Sequence, residues 1–290
     1  DPPRVTALVD NQQFAHHLWN ALSGLERLVG FIQQAQPDEP PSLMVCVEPW
    51  GPVAALFPEL PAAGMSVEHL RGPGVVPSAL HAHRLLLRVG GTRIGDALVA
   101  RVRRVAAARV PAAVTERAAA LVRAHRPILW VTLRMENRTW VSQVPGLIAI
   151  GRRLAADYPR AALVIDGFSR LYRADGGSDK GYAAVIAAEQ QAAAAIRAGL
   201  DGCLPVESLV GRALFEAVVF AAVADCYFAH HGSLQHKIGW LGDCPGLVHA
   251  NGTVLTTPRL WEAALDVRED GTPPTYLDAT LVRDVPGAKR

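Results

Sequence analysis

Three polar clusters in this sequence each follow a short apolar run, the place where an open α/β sheet presents ligands. The first is Leu133-Arg134-Met135-Glu136-Asn137-Arg138-Thr139-Trp140. Its two arginines, ahead of a helix start, are spaced to clamp a diphosphate bidentately with help from helix-terminal amides. The plainer reading is a solvated loop in which one arginine bridges to Glu136, and Trp140 reads as a core anchor. The second cluster is Ala229-His230-His231-Gly232-Ser233-Leu234-Gln235-His236-Lys237. His-Gly-Ser at a strand-to-helix turn places a flexible glycine and a hydroxyl in the first helical turn, an anion cradle that His231 or Lys237 would help neutralise. Its plainer reading is a polar loop with one buried histidine bonded to backbone. The third is Asp10-Asn11-Gln12-Gln13-Phe14-Ala15-His16-His17-Leu18-Trp19-Asn20. His16 or His17 has the chemistry to take a proton from a hydroxyl, since imidazole titrates near ~6.5. Equally, one of the pair packs on the helix and the other is solvated. Asp166-Gly167-Phe168-Ser169 ends a further strand and either offers Asp166 to a ribose or base or makes a turn.

Other chemistries find no footing. Gly90-Gly91-Thr92-Arg93-Ile94-Gly95 matches neither a Walker A loop nor GxGxxG, and there is no GxSxG elbow or kinase signature set. A metal would need His230, His231 and His236 to converge. Adjacent residues point apart and no HExxH or carboxylate partner is near, so no metal site is expected. Cys46, Cys203, Cys226 and Cys244 lie far apart with no CxxC pair. That excludes zinc ribbons and a dense disulfide framework, and reads as buried thiols in a reducing compartment. Twenty-nine basic residues against 27 acidic leave a net charge of +2, too little for a global nucleic-acid footprint. The longest apolar stretch, Leu214 to Ala229, carries Glu216 and Asp225 and falls short of the ~20 residues a membrane span needs. Nothing at the start reads as a signal peptide, and the expected location is cytoplasmic.

The clusters need a scaffold to position them. Half of the 290 residues are hydrophobic, enough for a sizeable core in two domains or one large one. Apolar runs at Val5–Val9, Leu43–Val47, Ile128–Leu133 and Ala161–Ile165 read as strands, with short candidates at Gly202–Val206, Tyr227–Ala229 and Gly246–His249. Helical spacing covers about 14–32, 95–109, 111–124, 144–158, 183–198 and 234–241, with Pro111 suited to a first turn. Pro52 to Pro77 reads as mostly loop, as does a stretch with Gly176, Gly177 and Gly181. This βαβ alternation argues for parallel sheets covered by helices on both faces. The simplest partition is an N-terminal α/β domain over 1–126 and a C-terminal one over 127–290, with an irregular tail. Two doubly wound, Rossmann-like domains of this kind are expected to face each other across a cleft at the carboxyl ends of their strands.

Val131-Thr132-Leu133-Arg134, Arg138-Thr139-Trp140, Leu163-Val164-Ile165-Asp166-Gly167-Phe168 and Val223-Ala224-Asp225 through His231-Gly232-Ser233, in that order, resemble the donor half of GT-B-fold glycosyltransferases. The opening, Asn11 with Phe14 to Asn20, is similar to the acceptor-side start of bacterial family 61-type glycosyltransferases, where a His-bearing helix follows the first strand. The resemblance covers mainly residues 127–251. It implies transfer of a sugar from a nucleotide-sugar donor to a hydroxyl of a glycan or polysaccharide, inverting and metal-independent, with no cofactor beyond the co-substrate. On this resemblance Arg134, Arg138, Asp166, His231, Gly232, Ser233 and Lys237 bind the donor, and His16 or His17 is the base. The family's glutamate for the donor ribose has no clean counterpart; Glu207 and Asp243 are the candidates. The implied partners are the donor and the acceptor, with no nucleic acid, no membrane span, and peripheral membrane association left open. Two other classes remain, the first sharing the cleft and a catalytic histidine, the second needing neither His16 nor His17. A pyruvyl transferase acting on polysaccharide would draw on phosphoenolpyruvate, and a non-catalytic carbohydrate- or nucleotide-binding module would bind without releasing nucleoside diphosphate.

Overall fold

The computed structural model describes residues 4–70, 77, 82–136, 139–172 and 180–285. Arg138, Gly176, Gly177 and the tail from 286 lie outside the described residues. The chain forms two compact units, Asp1–Val105 with Leu171–Gly177, and Ala106–Arg170 with Ser178–Arg290.

The first unit opens with β1 (Arg4–Val9), α1 (Phe14–His16), a π-helical turn over His17–Leu22 and α2 (Ser23–Ala35). It continues with β2 (Ser42–Val45), α3 (Val53–Leu56), β3 (Val67–His69), β4 (Arg84–Arg88) and α4 (Asp96–Arg109). The four strands are parallel in the order β3-β2-β1-β4. Leu43, Met44 and Val45 are buried together, the mark of a strand covered on both faces. β3 and β4 escape sequence reading for a physical reason: β3 has only three residues, and Leu85 and Leu87 of β4 are about half exposed, so neither shows a buried period. The helix after β1 is less regular than its leucine spacing suggests, because the π turn carries one extra residue past each hydrogen bond. Helix α2 then packs its Ser23-Gly24 face on the loop after β4. Gly91 amide donates to the Asn20 carbonyl at 2.9 Å, and a Cβ on Gly24 would stand 2.7 Å from the Gly90 nitrogen.

The second unit begins with α5 (Ala112–Ala124), β5 (Ile128–Thr132), α6 (Gln143–Asp157), β6 (Ala162–Asp166) and α7 (Ala183–Gly199). It closes with β7 (Val206–Ser208), α8 (Leu214–Ala221), β8 (Cys226–His230), α9 (Ser233–Leu241), β9 (Gly246–His249), α10 (Gly252–Leu255), α11 (Glu262–Leu265) and β10 (Thr275–Tyr276). All six strands are parallel in the order β10-β9-β8-β5-β6-β7. Counted from β5 this is the 3-2-1-4-5-6 arrangement of a doubly wound dinucleotide-binding sheet. The strand expected at Gly202–Val206 forms later, at Val206–Ser208. Gly202 adopts φ +70° and the Cys203 amide turns back to the Leu200 carbonyl, so this stretch ends α7 instead. The tail is not wholly irregular, since β10 completes the sheet.

The boundary expected at residue 126 falls inside the second unit, whose start lies within α4. Helix α5 belongs there because Arg117 reaches Glu216 of α8 at 3.4 Å and sits 6.0 Å from the Phe220 ring. All four cysteines are free thiols; Cys244 is buried, whereas Cys203 is exposed, against the expectation. No helix among the described residues is long and apolar enough to cross a membrane.

Two glycines of α2 separate packing from propensity. Gly24→Ala drives a Cβ into backbone that no rotamer change can move, and is expected to cost about 1–3 kcal/mol. Gly30→Ala, exposed and with nothing within 4 Å, is expected to stabilise by about 0.5–1 kcal/mol. Urea unfolding midpoints at unchanged slope measure both.

Candidate functional site

In an open parallel sheet the ligand crevice lies where the strand order reverses. In the second unit that point falls between β5 and β8, and the loops leaving these two strands are the ones that carry Arg134 and His231-Gly232-Ser233. The structure brings them together: a Cβ on Gly232 would stand 3.8 Å from Arg134 Nη1. Gly232 has φ +111°, a region L side chains avoid, so the turn needs glycine for its backbone. It is also the N-cap of α9, and no side chain caps that helix start. The amides of the first turn therefore point at the same small region as Arg134, a geometry suited to an anion.

The Arg134 loop is held from behind by residues that its motif does not contain. Gln143, buried at the start of α6, clamps the Arg134 backbone in both directions, accepting from its amide at 3.2 Å and donating to its carbonyl at 3.0 Å. Glu189, buried within α7, accepts from the Phe168 amide at 2.6 Å and from the Met135 amide. One carboxylate thereby ties the loop after β5 to the loop after β6. Glu189 is a lone acid in an alanine-rich helix, and that isolation is the sequence signal that points to it.

Asp166 and Lys237 also meet, but beneath the surface. The Lys237 ammonium, 2% exposed, reaches Asp166 Oδ2 at 2.6 Å and Oδ1 at 2.8 Å, the Gly167 carbonyl at 2.7 Å and Ser169 Oγ at 2.9 Å. Burial pushes the Asp166 carboxyl up and the ammonium pulls it back. Both side chains are thus committed to each other and to the loop after β6, which makes them a brace under the cradle instead of ligands at its mouth. His231 is half-buried, its Nδ1 2.9 Å from the Tyr276 hydroxyl and its amide donating to the His249 carbonyl at 2.8 Å. Trp140 packs edge-on against Phe228 and His249, as a core anchor does. His249 is held neutral, pushed down to about 3 by burial and then by His230.

In the first unit the order reverses between β1 and β4, and the histidine pair leaves β1 at that point. The two rings have different fates. His17 has no exposed surface; its Nε2 bonds the Val47 carbonyl at 3.0 Å and its Nδ1 has no hydrogen-bond partner among the described residues. Burial pushes it down to about 4, offset in part by that carbonyl. A ring so enclosed does not meet an acceptor hydroxyl. His16 is exposed and stacks on Trp19. Asn20 sends its amide nitrogen to the Gly91 carbonyl at 2.9 Å, which turns its oxygen toward His16 Nδ1 at 3.1 Å. That oxygen accepts only, so Nδ1 carries the proton and Nε2 is the acceptor nitrogen.

Glu189 carries a pH signature. Burial pushes its carboxyl from 4.5 up to about 7, against the pull of the Phe168 amide. The unfolded chain loses this proton first, so the contribution to stability is full below pH 4.5 and is lost as pH rises through about 7. Unfolding free energies across that window are expected to fall for the native protein by up to about 3 kcal/mol, and less steeply for Glu189→Gln. An unchanged slope would remove Glu189 as its source.

No protein-family model matches the chain, and neither does any curated protein. Among solved structures it is similar to E. coli heptosyltransferase WaaC with ADP, at 15% identity and TM-score 0.42, over 86% of this chain and 87% of that one. It is similar to UDP-GlcNAc 2-epimerase from Neisseria meningitidis bound to UDP-GlcNAc, at 10% identity and TM-score 0.38, over 84% of this chain and 81% of that one. It is likewise similar to UDP-GlcNAc 2-epimerase from Methanocaldococcus jannaschii, at 9% identity and TM-score 0.42, over 95% of this chain and 89% of that one.

Proposed function

We propose that this chain is a GT-B-type glycosyltransferase, of the family 61 kind, that moves a sugar from a nucleotide-sugar donor to a hydroxyl of a glycan or polysaccharide in the cytoplasm. The observation that carries the reading is Arg134 beside Gly232 at an uncapped helix start, on the switch point of a doubly wound sheet. In this proposal the donor's diphosphate lies on the first-turn amides of α9, with Ser233 and His231 at its edge and Arg134 against its oxygens. Arg138 supplies the second guanidinium. Asp166 and Lys237 serve the donor indirectly, by fixing α9.

His16 is the general base. The acceptor oxygen loses its proton to Nε2 and attacks the anomeric carbon, while the bond from that carbon to the diphosphate oxygen breaks on the opposite face. The configuration inverts, and the nucleotide leaves with the negative charge that Arg134 and the helix amides stabilise. Fixed cations and dipoles in that role make the transfer metal-independent.

The test is nucleoside-diphosphate release from a panel of UDP-, GDP- and ADP-sugars, and of nucleoside monophosphate from CMP-sugars, with chelator present. One donor is expected to be turned over, and Arg134→Ala to lower that turnover by about 10²-fold or more. Silence across the panel, with no nucleotide raising the melting temperature, would overturn the reading. With the acceptor supplied, His16→Ala is expected to lower kcat by about 10²–10⁴-fold with the donor KM little changed. An equal loss from His17→Ala, at unaltered stability, would move the base to the wrong ring.

A further inference from the structure

On the other flank of the second sheet, beside its edge strand β7, a groove of about 550 Å³ opens. Three arginines line it: Arg170 from the loop after β6, Arg197 from α7 and Arg212 from the loop after β7. Among the described residues none of the three guanidinium groups has a hydrogen-bond or ion-pair partner. That sets them apart from Arg101, Arg117, Arg126 and Arg153 of this chain, each of which meets a carboxylate. Among the described residues of the lining the one acid, Glu216, is already engaged at 3.4 Å by Arg117. Three like charges gathered in one concavity repel one another, and an anion seated among them removes that cost.

The remaining lining suits a compact guest. Small side chains at Ala193, Ala194 and Ala213 leave the space open, and Ser208 adds a hydroxyl. The volume is that of a small-molecule site. Guanidinium forks match phosphate oxygens two at a time, where an ammonium offers only a point charge. The groove is not the donor cradle: β6 stands between β7 and β5, and β8 lies beyond.

We propose that this groove is a second anion site, taking a ligand that carries more than one phosphate charge, either a soluble phosphorylated molecule or a phosphate headgroup at a lipid surface. The inference does not rest on the glycosyltransferase reading. Its test uses Arg134→Ala protein, so that the cradle is silenced, and inorganic pyrophosphate as the probe. Pyrophosphate is expected to bind in a salt-sensitive manner, and the added pair Arg197→Ala and Arg212→Ala to weaken it about tenfold. Donor turnover, measured with Arg134 intact, is expected to survive that pair. Flotation with phosphatidylcholine vesicles containing phosphatidic acid, against phosphatidylcholine alone, separates the sources. Arginine-dependent flotation names the headgroup, and pyrophosphate binding without flotation names a soluble ligand. No pyrophosphate binding in the Arg134→Ala protein, or binding indifferent to Arg197 and Arg212, would overturn the site.

Discussion

The second unit hangs on one buried ion pair. Lys237 and Asp166 are both almost without exposed surface, and taking two charges out of water costs several kcal/mol each unless geometry and further hydrogen bonds offset it. Here they do: the ammonium spends its donors on Asp166, the Gly167 carbonyl and Ser169. The pair links α9 to the end of β6, and the Asp166 carbonyl in turn accepts from the Leu133 amide at 2.8 Å. Through that chain of contacts the helix whose start forms the cradle is registered against the strand that carries Arg134. An apolar pair of equal volume would hold the helix down as firmly, but would not set its rotation or depth with directed bonds.

Both switch points follow the same division of labour. At each, the residue on the loop after the strand is set in position by neighbouring side chains that hold its backbone or its ring. Gln143 and Glu189 do this for the Arg134 loop, and Asn20 does it for His16, with Gly91 in turn fixing Asn20. Supporting groups of this kind are what would hold the proposed diphosphate and proton contacts within a small tolerance.

Most of the second sheet could be read from the sequence, because its strands are short continuous apolar runs between helical stretches, and the runs at Ile128, Ala161, Tyr227 and Gly246 match strands within a residue or two. The first sheet was half hidden. Its β4 exposes Leu85 and Leu87, so nothing in the pattern distinguishes it from a surface segment. The site was legible to the depth of its motifs: Arg134 and Gly232 could be placed at strand ends and do meet. Lys237 and Asp166 were found by type and place, yet periodicity does not tell a buried brace from a ligand contact. Which histidine is enclosed was equally unreadable, since adjacent positions on a helix differ by rotation alone and the π turn shifts that rotation.

The chain's path between its units bears on how it is made. Leu171 and Tyr172 belong to the first unit, where the Tyr172 amide donates to the Pro49 carbonyl at 3.3 Å, although β5 and β6 of the second unit precede them. A nascent chain leaving the ribosome therefore cannot finish its first unit by synthesising residues 1–105 and pausing; two strands of the next sheet must emerge before the last stitch arrives. The cradle waits longer still, because the tyrosine that holds His231 is on the final strand. Assembly of this protein is interleaved, and a chain stalled after its first sheet still lacks both the last stitch of that unit and the whole of the next sheet.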